Sequence, residues 1–212
     1  MRKWVNRGAL MLSFALVLTS GCEWKSVSTS ASTDLEHPGH HDGSAVEESA
    51  GSNSMATQAN EPVPAPKTID IINSKGSKIG TATLTQVPEG VKFQVDVAGM
   101  TPGKHGMHIH ETGVCTPPDF KSAGEHFNPE HKHHGFDNPQ GYHAGDLPNL
   151  EVGSDGRGRA EVVAPKLTLA KDKANSLFKT GGTALVIHEK EDDYKTDPSG
   201  NSGNRVACGV IK

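Results

Sequence analysis

Two histidines separated by one residue, His108-Ile109-His110, reach one metal ion together if the segment is a β-strand, because residues two apart project from the same face. They open the stretch Lys104–Asp146, which holds eight of the chain's twelve histidines among Gly, Pro and Asn. His126, His134, His143 and Asp146 follow in the same stretch, and His188 comes later. His188 ends the apolar run Thr183-Ala-Leu-Val-Ile187, so it belongs at the end of a buried strand. Seven ligand-type side chains exceed what one tetrahedral site needs, and they predict two sites. Imidazole nitrogen suits zinc and copper. A carboxylate among imidazoles favours zinc, whereas an all-imidazole set tending to planarity favours Cu(II).

The elements that must carry these side chains are short strands. Thr68–Ile72 is an apolar-rich run, and Asn73-Ser-Lys-Gly76 is a turn signal. Lys78–Val87 alternates in β fashion, and Val91, Phe93, Val95 and Val97 fall on one face of the next run. Residues 158–163, 183–187 and 205–211 are further strands. Short strands with turns every ten or so residues predict an antiparallel sandwich or barrel. Residues 112–150 lack strand character, and so long a loop in a compact domain needs function or cross-links. Asp172–Phe178 has the pattern of a short helical turn.

The chain ahead of these strands differs. Arg2, Lys3 and Arg7 precede an apolar run, Ala9–Leu18, that is short for a membrane span. It leads to Leu18-Thr-Ser-Gly-Cys22, which resembles a bacterial lipobox, although Thr19 replaces the commoner aliphatic residue. The expectation is a signal peptide over 1–21 and a lipid on Cys22 that holds the chain at a membrane outside the cytoplasm. Residues 22–66 are rich in Ser, Ala, Thr, Glu, Asn and Pro and predict a polar, disordered tether. Its His37, His40 and His41, with Asp42, have two readings, loose capture of a transition metal or a solvated linker, and the second is favoured because nothing orders them as ligands. Hydrophobic residues make up only 33% of the 212, which agrees with one ordered domain, 67–212, behind such a tether. A net charge of −4 argues against a nucleic-acid partner. In an exported chain Cys115 and Cys208 are better used as a disulfide than as metal ligands.

The separated segments HGMHIHETG, SAGEHFNP, HHG, YHAGDLPN, ALVIHEKEDD and NRVACGVI together resemble the copper/zinc superoxide dismutase family over roughly residues 68–212. The resemblance implies an all-β, eight-stranded Greek-key barrel with long metal-binding and electrostatic loops. It implies copper held by His108, His110, His126 and His188, and zinc held by His126, His134, His143 and Asp146. His126 would bridge the two metals. Asp192 would link a copper-ligand histidine to a zinc-ligand histidine, and Cys115 and Cys208 would form the family's disulfide. Arg205 would guide and hold superoxide, and His126 would carry a proton in its conversion to dioxygen and hydrogen peroxide. The histidine-glycine match selects His134 over its neighbour His133. His105, His131 and His133 fall outside the motifs and are expected to be structural or solvent-facing. The second function considered is a non-catalytic envelope zinc- or copper-binding lipoprotein of the same fold. Loss of a copper histidine would mark it, and none is missing.

Overall fold

The structure, a computed structural model, describes residues 63–212. The expected signal peptide, Cys22 and the tether histidines lie outside the described residues. Val63–Pro66 have no regular structure, and the first strand starts at Lys67, where the composition turns apolar. The strands are β1 Lys67–Asn73, β2 Lys78–Val87, β3 Gly90–Val97, β4 Gly103–His110, β5 Asp146–Val152, β6 Gly158–Ala164, β7 Thr183–His188 and β8 Arg205–Ile211. They close into an antiparallel barrel in the order β1-β2-β3-β6-β5-β4-β7-β8. The expected eight-stranded barrel is therefore present. Hairpins supply the neighbours β1-β2-β3, and the pairings β3·β6 and β4·β7 are the crossovers of the Greek key.

Alternation explains why these sequences become these strands. Val91, Phe93, Val95 and Val97 of β3 all point inward and are buried, as their spacing predicts. In β4 the inward residues are Met107 and Ile109, which join the barrel core, so His108 and His110 must face outward. In β7 the inward residues are Leu185 and Ile187. The outward residues Ala184 and Val186 pack with Phe120, Ala123 and Cys208 in a second, smaller core outside the barrel wall. All six residues of β7 are thereby buried, one face by the barrel and the other by a loop. The register places His108 beside Val186 and His110 beside Ala184, so the histidines lie on the wall that this second core covers.

Two long loops complete that cover, residues 111–145 between β4 and β5 and residues 189–204 between β7 and β8. The Cys115–Cys208 disulfide ties the first loop to β8, with a Cα–Cα distance of 5.8 Å and 93 positions between its ends. Closing so long a loop stabilises the fold by about 4–5 kcal/mol in the chain-entropy account.

Two local expectations are corrected. Residues 146–150 are strand, the first part of β5, rather than loop. The run Asp-Leu-Pro-Asn-Leu-Glu-Val hides its period because Asp146 is buried for its chemistry and Pro148 occupies an exposed position. Asp172–Phe178 forms turns closed by a Thr168–Ser176 bridge rather than a helical turn. Thr168 donates its backbone N–H to Asn175 O, and Leu177 donates to Thr168 O, so this segment satisfies its backbone across the loop.

Candidate metal centre

Four imidazoles converge on one point outside the barrel wall. His108 and His110 come from β4, His188 from the end of β7, and His126 from the loop strand that bridges to His110. One nitrogen of each ring is already committed. His108 Nε2 donates to Asp192 Oδ2 at 2.7 Å, His110 Nδ1 to Gly124 O at 2.9 Å, and His188 Nδ1 to Gly203 O at 3.3 Å. A carbonyl or an ionised carboxylate only accepts, so the bond fixes each tautomer and leaves the other nitrogen with a bare lone pair. Those other nitrogens, His108 Nδ1, His110 Nε2 and His188 Nε2, together with His126 Nε2, are buried and have no partner. The four rings offer donor atoms within 4.8 Å of one another. Orphaned buried acceptors cost free energy, and four aimed together fit a metal that suits imidazole. Burial holds His108 and His188 down at about 4 and His126 at about 3, and neighbouring imidazoles oppose any added positive charge. The cluster is thus neutral and ligand-ready at neutral pH.

The second donor set lies on the other side of His126. Asp146 Oδ1 is 3.1 Å from His126 Nδ1, 3.0 Å from His134 Nδ1 and 3.3 Å from His143 Nδ1, and the last ring is 3.4 Å from His126. Tetrahedral zinc with bonds near 2.0 Å separates its ligands by roughly 3.3 Å, so these four atoms suit one zinc ion. The donor group that lies within 4.8 Å around Asp146 contains His108, His126 and His134, and His143 joins it only through its contacts to Asp146 and His126. His108 Nε2 is taken by Asp192 and its Nδ1 faces the four-imidazole cluster, so His143 is the better fourth donor. Burial would raise Asp146, but its hydrogen bonds to His126, His134 and His143 hold it well below the usual carboxylate range. Burial also pushes His134 down, yet hydrogen bonds to Asp146 and Asp192 outweigh it and raise the group to about 9. Without metal His134 therefore keeps both ring protons at neutral pH, and zinc would displace the one on Nδ1.

Asp192 connects the two sets. Its Oδ2 accepts from His108 and its Oδ1 from His134 Nε2 at 3.0 Å, so one carboxylate orients a ring of each cluster. Asn149 of β5 anchors it with two bonds, accepting from Asp192 N at 2.9 Å and donating to Asp192 O at 3.0 Å. Gly200 passes so close, at φ +64, that a Cβ there would strike the Asp192 carboxylate and lie 2.8 Å from His134 Nε2.

Arg205 begins β8 beside the four-imidazole cluster. Its Nη1 donates to Phe120 O at 2.9 Å and its Nη2 to Gly124 O at 2.7 Å. That second carbonyl also holds His110, so one backbone oxygen aligns the guanidinium with a ring of the cluster. A cavity of about 360 Å³ opens over Arg205, lined also by Pro118, Asp119, Lys121, Gly203 and Asn204. The five acidic residues of Glu189–Asp197 are all engaged. Glu189 accepts from Asn204, Glu191 pairs with Lys104, Asp192 serves the rings, Asp193 accepts from Thr196 and Asn201, and Asp197 binds His133 and the His134 backbone.

Among the described residues, the remaining histidines divide as expected. His105 is buried with its ring between Thr101 O at 2.8 Å and His188 O at 2.7 Å, while His131 and His133 are exposed. Sequence reasoning missed Asn149, Asp197 and the Gly124 and Phe120 carbonyls. Backbone oxygens carry no side-chain signature, and Asn149 and Asp197 act across 43 and 63 positions of chain.

The copper/zinc superoxide dismutase (SODC) family matches residues 78–211. The chain is 55% identical over 144 residues to "Superoxide dismutase [Cu-Zn] 1" of Aquifex aeolicus (strain VF5), covering 68% of this chain and 85% of that protein. It is 44% identical over 145 residues to "Superoxide dismutase-like protein YojM" of Bacillus subtilis (strain 168), covering 68% and 74%. Among solved structures, the Cu/Zn superoxide dismutase from Brucella abortus matches with a TM-score of 0.57 at 34% identity, covering 70% of this chain and all of that one. With donor sets suited to copper and zinc on an eight-stranded Greek-key barrel, the chain belongs to the copper/zinc superoxide dismutase family.

Proposed function

We propose that the chain is a superoxide dismutase, converting two superoxide anions and two protons to dioxygen and hydrogen peroxide. The single observation that carries this reading is the convergence of four orphaned imidazole nitrogens beside a half-buried guanidinium. Relatives named as copper/zinc superoxide dismutases support it. His108, His110, His126 and His188 would hold copper, and His126, His134, His143 and Asp146 would hold zinc. When bound, copper supplies reversible one-electron chemistry, and zinc supplies a fixed positive charge.

The rest falls to side chains of the protein. Arg205, pinned by two carbonyls, keeps its remaining N–H groups for a small anion at the mouth of the cavity. His126 presents Nε2 to one donor set and Nδ1 to the other. With Nδ1 held on the Asp146 side, Nε2 would be the atom that takes a proton and passes it to the peroxide. Asp192 fixes the tautomers of His108 and His134 and keeps both clusters in register. Arg205→Ala should slow superoxide consumption by about tenfold or more while leaving copper and zinc content intact. Parental activity in that variant would remove Arg205 from the reading.

The same reading places the enzyme on the outer side of a cell membrane, held by a lipid on Cys22. The basic start, the short apolar run and the Cys115–Cys208 disulfide, which persists in oxidising compartments, support it. Among the described residues no helix is long and apolar enough to cross a membrane.

A further inference from the structure

We infer that Lys166 is a positioning residue for the zinc half of the site, acting from a different loop and touching no metal ligand. Lys166 follows β6, outside both metal-binding loops. Its ammonium makes three contacts, all with the loop that carries His134 and His143. It donates to Glu130 Oε2 at 2.9 Å and to Tyr142 O at 2.9 Å, and it lies 4.2 Å from the centre of the Tyr142 ring. Glu130 precedes His134 by four positions, and Tyr142 immediately precedes His143. One cation thus grips that loop twice, four residues ahead of His134 and immediately ahead of His143.

The lysine works from a fixed base. Its backbone oxygen accepts from Asn175 Nδ2 at 2.8 Å, and the next residue, Leu167, is buried in the barrel core. The ammonium itself is only partly exposed, so its ion pair and cation–π contact are less screened than those of a surface lysine. The clamp also continues inward. His143 donates its backbone N–H to Asp146 Oδ2 at 3.1 Å, so holding Tyr142 O holds the peptide that links to the zinc carboxylate. The stretch between these two grips is held independently, where Asp197 accepts from the His134 backbone and Asp137 donates to Tyr194 O. Removing Lys166 releases Glu130 and Tyr142 and leaves His134 held. The Tyr142–His143 peptide that it frees carries one proposed zinc donor and none of the four-imidazole cluster.

The inference rests on the zinc assignment proposed above. The test uses the full chain loaded with copper and zinc and measures the rate of zinc transfer to an excess of chromogenic chelator. Lys166→Met keeps the aliphatic stem and loses the charge, and it should release zinc about tenfold faster. Lys166→Arg keeps both donors and should stay within about twofold of the parent. Glu130→Gln, which loses only the ion pair, should fall between them and serves if Lys166→Met does not fold. Arg159→Met breaks an ion pair to Asp96, 2.9 Å long, on the strands β6 and β3, and should release zinc at the parental rate. Parental release from Lys166→Met, or acceleration by Arg159→Met equal to it, would overturn the positioning role. A parent that takes up no zinc would instead defeat the zinc assignment itself, which the parent alone reveals.

Discussion

At the scale of single residues, the centre is a set of rings whose protons are placed by their outer neighbours. Burial keeps His108, His126 and His188 below an ordinary histidine, at about 4, 3 and 4, and holds His110 well below it too. In the metal-free protein this has a definite sign. Between about pH 6.5 and pH 4 the unfolded chain takes up protons on these rings while the folded chain does not, so stability falls as pH falls. His134 is raised, so its contribution is fully present below pH 6.5 and is lost only as pH rises toward 9. Thermal melts of the metal-free protein should therefore show a falling midpoint from pH 6.5 to 4.5, and a flat or rising midpoint would contradict the assigned burial. Much of this scale was legible in the sequence, because histidine and aspartate at separated motif positions carry their chemistry in their names. His133 and His134 were not separable by residue type. The structure distinguishes them by surroundings, with His134 buried against two carboxylates and His133 half exposed against Asp197.

At the scale of elements, the site is a product of strand alternation and loop closure. Period two in β4 gives Met107 and Ile109 to the core and His108 and His110 to the four-imidazole cluster, and that was readable in advance. β5 was not, because its first residue is a buried carboxylate and its third a proline, which together mask the alternation. The turn around Thr168–Ser176 also misled, since its Lys, Asp and Asn content suits a helical turn and a bridged loop alike. Loop-to-loop bonds such as Asn149 to Asp192 join distant positions and leave no local pattern. Gly200 is the sharpest test at this scale. Its positive φ and its contact with the Asp192 carboxylate admit no side chain, so Gly200→Ala should displace the link between His108 and His134. The variant should lose metal affinity in both halves by about 10–100-fold, as read by competition with chelators. Parental affinity in both halves would show that Asp192 does not orient the rings.

At the scale of the whole molecule, a barrel supplies a rigid wall, a disulfide ties a loop to it, and two loops close over the wall to make one site from residues 108 to 205. The family resemblance in the sequence covered this domain, whereas the tether and the lipid site depend on composition and a short motif alone. Cys22→Ser should abolish labelling by a fatty-acid analogue and move the chain from the membrane fraction to the soluble fraction, and unchanged labelling would exclude Cys22 as the anchor. The central claim is that one copper, held by four imidazoles beside Arg205, makes this chain consume superoxide. The most direct measurement is to titrate the zinc-loaded, copper-free protein with Cu(II) and follow superoxide consumption. Activity should rise linearly to one copper per chain and then stop rising, whereas no activity at one equivalent, or a rise without a break, would contradict the account.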